Sequence, residues 1–129
     1  MRRNNSRQRQ AIMDFLSTRK DHPTAETVYD NVRIHHPNIS LGTVYRNLNL
    51  LADSNEIKRI RTRDSKDHFD ADTSPHYHFM CNQCFQVSDI FIDMTAQLTQ
   101  EAEQETDCKI LEHEVFYYGL CATCLHEAE

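Results

Sequence analysis

Glycine occurs only twice in this chain of 129 residues, at Gly42 and Gly119, too rarely to build a glycine-rich loop that cradles phosphates. No apolar run approaches the roughly 20 residues a membrane-spanning helix needs, so a soluble, cytoplasmic protein without a membrane partner is expected. Cations are nearly missing from the second half. Residues 71–129 hold 1 Lys+Arg against 11 Asp+Glu, a balance of −10, whereas residues 1–70 hold 13 against 9, a balance of +4, which together give the net charge of −6. Phosphate attracts the first half and repels the second, which points to two small domains with separate tasks. A hydrophobic content of 39% allows each only a modest core.

Enzyme signatures are also missing. No Ser, His and Asp arrangement for acyl transfer is evident, and the His-x-Glu with Pro-Cys-x-x-Cys of zinc nucleobase deaminases does not occur. The expectation is therefore a protein that is not an enzyme.

Cysteine, by contrast, comes in pairs. Cys81-Asn-Gln-Cys84 and Cys121-Ala-Thr-Cys124 are two Cys-x-x-Cys units separated by 36 residues, the spacing of a closed tetrahedral zinc site. A redox dithiol would sit at a helix N-terminus, whereas Cys81 ends the strand-like run His78-Phe79-Met80. A disulfide framework is disfavoured because no signal-peptide pattern is present and a fifth cysteine, Cys108, is left over. Cys108 itself reads as a small buried hydrophobe.

The basic half reads as three helices and a hairpin. Ser6 is placed to cap a helix with Ala11, Ile12, Phe15 and Leu16 at helical spacing, closed by the stretch Arg19-Lys20-Asp21-His22-Pro23. A second helix starts at Thr24, with Ala25, Val28, Tyr29 and Val32 on one stripe, and is expected to end near His35-His36. Ser40 caps a third, in which Leu41, Val44, Leu48 and Leu51 form the buried stripe and Thr43, Tyr45, Arg46, Asn47 and Asn49 lie off the core. Such a polar front suits a recognition helix in the DNA major groove, where Arg and Asn address base edges. Residues 57–69 then read as two short strands around a polar turn, with Lys58, Arg59, Arg61, Arg63 and Lys66 available to phosphate. Three helices and a basic hairpin make a winged helix-turn-helix. Its expected DNA contacts are Ser40, Thr43, Tyr45, Arg46, Asn49, Lys58, Arg59, Arg61 and Arg63.

The second half reads as a small α/β unit: strands near 76–80 and 86–92, a helix near 94–106 with Met94, Leu98 and Ala102 on one stripe, and a strand over 109–118. Its edge strands offer a route to a homodimer. The fold class is thus α+β. Residues 1–70 form a winged-helix DNA-binding domain, 71–75 a hinge, and 76–129 an α/β dimerisation domain with the four-cysteine zinc site.

Residue types suggest a second metal site. His76 and His78, two apart in a strand, face one way; Asp70 precedes them, Asp89 lies on the next strand, and His22 can join. Three imidazoles and two carboxylates suit iron(II), manganese(II) or zinc(II). His35, His36, His68 and His126 read as surface residues, and His113 as structural.

Taken together, Ser6–Ile12, His22–Ala25, Pro37–Leu48, His68-Phe69-Asp70, His76-Tyr77-His78 and both cysteine pairs resemble the ferric uptake regulator superfamily of metal-dependent bacterial transcription regulators. One departure is visible: relatives usually carry another helix before the Ser6 segment, where this chain has five residues. The resemblance implies a dimeric repressor on a palindromic double-stranded operator. It also implies a structural zinc on Cys81, Cys84, Cys121 and Cys124, and a regulatory iron(II) or manganese(II) on His22, Asp70, His76, His78 and Asp89. Relatives with a further site have ligands where this chain has Pro75 and Tyr77, so that site is not expected. Asp89, where the iron-uptake branch more often has Glu, looks like the peroxide-sensing branch. That branch implies that peroxide is reduced at iron and that oxidation of His22 or His76 releases the DNA. Iron-responsive repression is the second reading and zinc-responsive repression the third.

Overall fold

A computed structural model describes residues 2–127, with side chains described for 6–127. No helix among the described residues is long and apolar enough to cross a membrane. The chain divides into two compact units, Met1–Ser74 and Pro75–Glu129.

In the first unit α1 (Arg2–Ser17), α2 (Ala25–Val32) and α3 (Leu41–Asp53) precede β1 (Lys58–Arg61) and β2 (Asp67–Asp70). The helical stripes close on one another. Ile12 and Leu16 of α1, Ala25, Val28 and Val32 of α2, and Val44, Leu48 and Leu51 of α3 share a core with Ile39, Ile57 and Phe69. Each fully buried aliphatic side chain here is worth about 1.5–3 kcal/mol of transfer free energy. Ser6 does not cap α1, because the helix already begins at Arg2 and neither Gly nor Pro lies ahead of Ser6 to stop it. Thr24 does cap α2, its hydroxyl accepting from Thr27 N at 3.4 Å. That helix ends at Val32, sooner than expected. The chain then tightens through His35 N to Val32 O and Ile39 N to His36 O, and Pro37 disfavours helical backbone at the residue before it.

The two strands pair antiparallel, with Arg59 opposite Phe69 and Ile60 opposite His68. The turn between them contains Ser65 in the left-handed region, at φ 65°. On its other side β2 is tied to the segment ahead of α2: Phe69 N donates to Pro23 O at 3.0 Å, and Thr24 and His68 form an antiparallel bridge. A winged helix-turn-helix results.

In the second unit β3 (Tyr77–Cys81), β4 (Val87–Ile90) and β5 (Phe116–Gly119) form a sheet of order β4-β3-β5, accompanied by α4 (Thr95–Glu105) and α5 (Ala122–Glu127). β3 runs antiparallel to β4 and parallel to β5. Of the expected strand over 109–118 only the end forms. The sequence pattern also missed α5, which starts inside the second cysteine pair. α4 buries none of its residues, and Phe91, Ile92, Met94, Leu98, Leu111 and Leu125 are exposed. Cys108, expected to be buried, is exposed as well; it follows the end of a helix that contributes nothing to a core, so there is nothing to cover it. His113, expected to be structural, has its Nε2 3.2 Å from the Tyr77 hydroxyl and 3.1 Å from that of Thr95.

Candidate metal centres and nucleic-acid interface

The strand β3 delivers Cys81 into a tight turn that brings Cys84 back beside it, while the second pair follows β5, the parallel neighbour of β3. All four sulfurs lie within 4.8 Å of one another, with Cys84 Sγ and Cys121 Sγ 3.9 Å apart. A tetrahedral zinc with Zn–S bonds of about 2.3 Å spaces its sulfurs by about 3.8 Å, so the donor set fits that ion. Main-chain N–H groups point at the sulfurs: Gln83 N and Cys84 N address Cys81 Sγ at 3.4 and 3.5 Å, and Cys124 N addresses Cys121 Sγ at 3.4 Å. Main-chain N–H groups, from Cys84 first, favour the thiolate of Cys81 and pull its pKa down to about 6. The neighbouring thiols push Cys124 up, that of Cys121 most strongly. Four thiolates leave zinc no open position, which makes this a structural site.

The first unit holds two further donors. His22 closes the loop after α1 in the left-handed region, at φ 56°, an uncommon conformation for a residue with a side chain. Its Nδ1 lies 2.8 Å from Lys20 O and must donate there, since a carbonyl only accepts. That orients the ring so that Nε2 faces Asp70 Oδ2 at 3.0 Å, with His22 2% and Asp70 6% exposed. The other carboxylate oxygen of Asp70 accepts from Asp72 N at 2.9 Å. A ring nitrogen turned toward a buried carboxylate, with the opposite nitrogen donating to a main-chain carbonyl, is the orientation a metal-ligating histidine takes, so the two groups could hold a divalent ion.

The second unit holds three. His78 pairs with Asp89 across β3 and β4, and His76 sits just ahead of β3. Their Nε2 atoms approach the same oxygen, Asp89 Oδ1, at 3.0 Å from His76 and 3.5 Å from His78. The imidazoles lie 4.5 Å apart between centroids; His78 stacks on Phe116 and His76 rests against Phe91. Both rings are nearly fully buried. Imidazole with carboxylate suits iron(II) or manganese(II).

The expected DNA-reading side chains are held by local bonds. Ser40 Oγ accepts from Thr43 N at 3.1 Å and caps α3. Arg46 Nη2 donates to Thr43 Oγ1 at 3.1 Å, Tyr45 Oη donates to Glu26 Oε1 at 2.7 Å, and Arg59 Nη2 donates to Asn49 Oδ1 at 2.8 Å. On the hairpin, Arg59 and Arg61 both face Asp67, at 3.8 and 3.6 Å, so part of the positive charge there is already balanced. Lys58 is half-buried and Arg63 exposed. Asn47, expected off the core, is buried and bonded to Arg9 Nε at 3.1 Å. His68, expected on the surface, is also buried; its Nδ1 faces His22 O and its Nε2 faces Asp64 Oδ2, both at 2.8 Å. Nothing short of the tertiary fold signals either one.

A winged helix, a closed tetrathiolate and buried histidine–aspartate donors define the class of metal-dependent DNA-binding regulators. The sequence model described as the Ferric uptake regulator family matches residues 3–118, and the chain belongs to that family. It is 38% identical over 117 residues to the peroxide-responsive repressor PerR of Staphylococcus saprophyticus, covering 91% of this chain and 79% of that protein. Against the Staphylococcus epidermidis PerR the identity is 36% over 120 residues, covering 93% and 80%. Its fold matches that of the Campylobacter jejuni peroxide stress regulator with a TM-score of 0.81 at 26% identity, over 94% of this chain and 91% of that one. The Helicobacter pylori ferric uptake regulator matches with a TM-score of 0.82 at 23% identity, over 92% and 80%, a likeness of fold alone. The chain is a regulator and no enzyme family is indicated.

Proposed function

We propose that this protein is a dimeric repressor that binds a palindromic operator when one divalent ion joins His22 and Asp70 to His76, His78 and Asp89, and that peroxide ends the repression. The observation that carries the reading is the pair of buried donor groups, His22 with Asp70 in one unit and both histidines around one Asp89 oxygen in the other. Neither group alone offers the five or six ligands that iron(II) or manganese(II) takes; together they offer five. Cys81, Cys84, Cys121 and Cys124 hold the second unit together around zinc, and its exposed apolar side chains supply the surface for a second copy.

Each residue then has a task. His22 and Asp70 belong to the winged-helix unit, so the angle between the two DNA-reading units of a dimer depends on whether their donors share an ion with His76, His78 and Asp89. Residues 71–75 absorb the change. Ser40, Thr43, Tyr45, Arg46 and Asn49 address the major groove, and Lys58, Arg59, Arg61 and Arg63 address phosphate. Switching the population from 1:99 to 99:1 needs a preference of about ten-thousandfold for the closed form, or about 5.5 kcal/mol. The protein works in the cytoplasm, where its operator is.

Peroxide sensing is supported by the two staphylococcal relatives named as peroxide-responsive repressors. A bound iron(II) would supply the redox chemistry that cleaves the O–O bond of peroxide. A ligand imidazole, His22 or His76, would gain one oxygen atom of the peroxide at a ring carbon while the other leaves as water, so that imidazole and peroxide become oxo-imidazole and water, and the altered ring would no longer bind as before. Peptide mass spectrometry after loading with iron(II) and a low dose of peroxide tests this, with manganese(II) as control. One added oxygen on His22 or His76 with iron only is the expected result. Unmodified histidines at full iron occupancy would replace peroxide sensing with a response to iron availability by simple dissociation.

A further inference from the structure

His68 is one residue that none of these roles uses. It lies on β2, two residues before Asp70, and is 7% exposed. Both its ring nitrogens are engaged: Nδ1 at 2.8 Å from the main-chain oxygen of His22, and Nε2 at 2.8 Å from Asp64 Oδ2. A carbonyl oxygen only accepts, so Nδ1 donates to it, and the contact with Asp64 occupies Nε2.

Asp64 in turn organises the tip of the hairpin. Its Oδ1 accepts from the Thr62 hydroxyl and, at 3.0 Å, from Lys66 N, which closes the turn carrying Arg63 and Lys66. Burial works against the charge of this carboxyl, but the Thr62 hydroxyl and the His68 ring outweigh it and hold its pKa below the usual range. It remains an acceptor at neutral pH. At the other end His22 is held by Nδ1 to Lys20 O, by its left-handed backbone and by its carbonyl to His68. One rigid ring thus spans from the backbone of a ligand to the carboxylate on which the wing turn is built.

We propose that His68 is a positioning residue that transmits occupancy of the regulatory site to the wing, by bonding the His22 carbonyl to Asp64 of the wing turn. The proposal rests on the reading of His22 as a ligand. Fixing the His22 ring fixes its carbonyl, and through His68 this orders the turn that presents cations to phosphate. A loose wing loses orientational freedom on binding DNA; an ordered one has already lost it.

Hydrogen–deuterium exchange of the full-length protein with and without manganese(II) tests this, with free manganese(II) followed by electron paramagnetic resonance. In the wild type, manganese(II) should slow exchange across residues 62–67 by at least about tenfold. Asp64→Ala should bind manganese(II) within about twofold of wild type yet lose that protection, because the far end of the relay is cut while the His22 loop is untouched. Asp64→Asn, which keeps an acceptor oxygen for His68, should recover most of it. Should Asp64→Ala fail to fold, His68→Leu is read by the same loss of wing protection. Wild-type protection in the variant, or tight manganese(II) binding by the wild type with no protection at the wing, overturns the relay and leaves the ligand assignment intact. A wild type that binds no manganese(II) beyond its zinc removes the ligand assignment itself, and the relay with it.

Discussion

Asn47 on α3 accepts a hydrogen bond from Arg9 Nε on α1 at 3.1 Å, while its own amide donates to Thr43 O at 3.0 Å. The side chain is 5% exposed, so it works as a polar clasp between two helices and not as a base-reading group. Asn47→Ala should lower stability by about 1–3 kcal/mol, the cost of stranding a partner and losing a buried bond. Urea unfolding measures it, and a loss near zero would mean that the bond to Arg9 does not clasp the two helices.

Ser40 has a separable structural role. Ser40→Ala should cost about 1 kcal/mol through the lost cap of α3, whereas Ser40→Gly should cost only a few tenths. Equal losses for the two variants in thermal melts would mean that the cap bond to Thr43 N is not what stabilises the helix start.

Zinc affinity should rise with pH. Cys81, with its pKa drawn down to about 6, is already largely ionised at neutral pH, whereas Cys84 and Cys124, both raised, must release protons to bind. Each proton released makes affinity climb by about tenfold per pH unit below the thiol's pKa. Competition with a chelator between pH 6 and 8 reads the slope; a flat profile would exclude thiol ligation.

Asp64 sets an acid limit on the wing. Its folded pKa is depressed, so its contribution to stability is complete above the ordinary aspartate value of about 3.9 and is lost as pH falls through the lower folded value. The stability gap between wild type and Asp64→Asn should therefore be widest near neutral pH and close in acid. A gap that widened on acidification would reverse the assignment.

Asp89 receives His76 and His78 on one oxygen. Removing an outer-sphere partner typically costs 10–100-fold in metal affinity, so Asp89→Ala should weaken manganese(II) binding by more than about 100-fold. The apo protein should stay folded and operator binding should stop responding to the metal. An unfolded variant would make Asp89 a structural residue instead.

Local chemistry was the most legible part of this protein. Ser40 and Thr24 read as caps because a cap is decided within four residues, and the stripes of Val28 and Val32 or Val44 and Leu48 follow from helical spacing. Both Cys-x-x-Cys units read as zinc ligands for the same reason: the turn that aims two thiolates is local. Boundaries were less legible. α1 extends past Ser6, the strand at 109–118 shrinks to Phe116–Gly119, and α5 was missed, since short elements take their limits from their neighbours.

What the chain by itself determined is the helical core of the first unit, the cysteine pairs and the residue types for a second metal. Only the tertiary structure decided that Asn47 and His68 are buried and that Cys108 is exposed. The physical reason is that each outcome depends on a partner distant in sequence. His68 bonds the carbonyl of His22 across 46 positions and Asn47 bonds Arg9 across 38, and no periodicity records whether such a partner will be there.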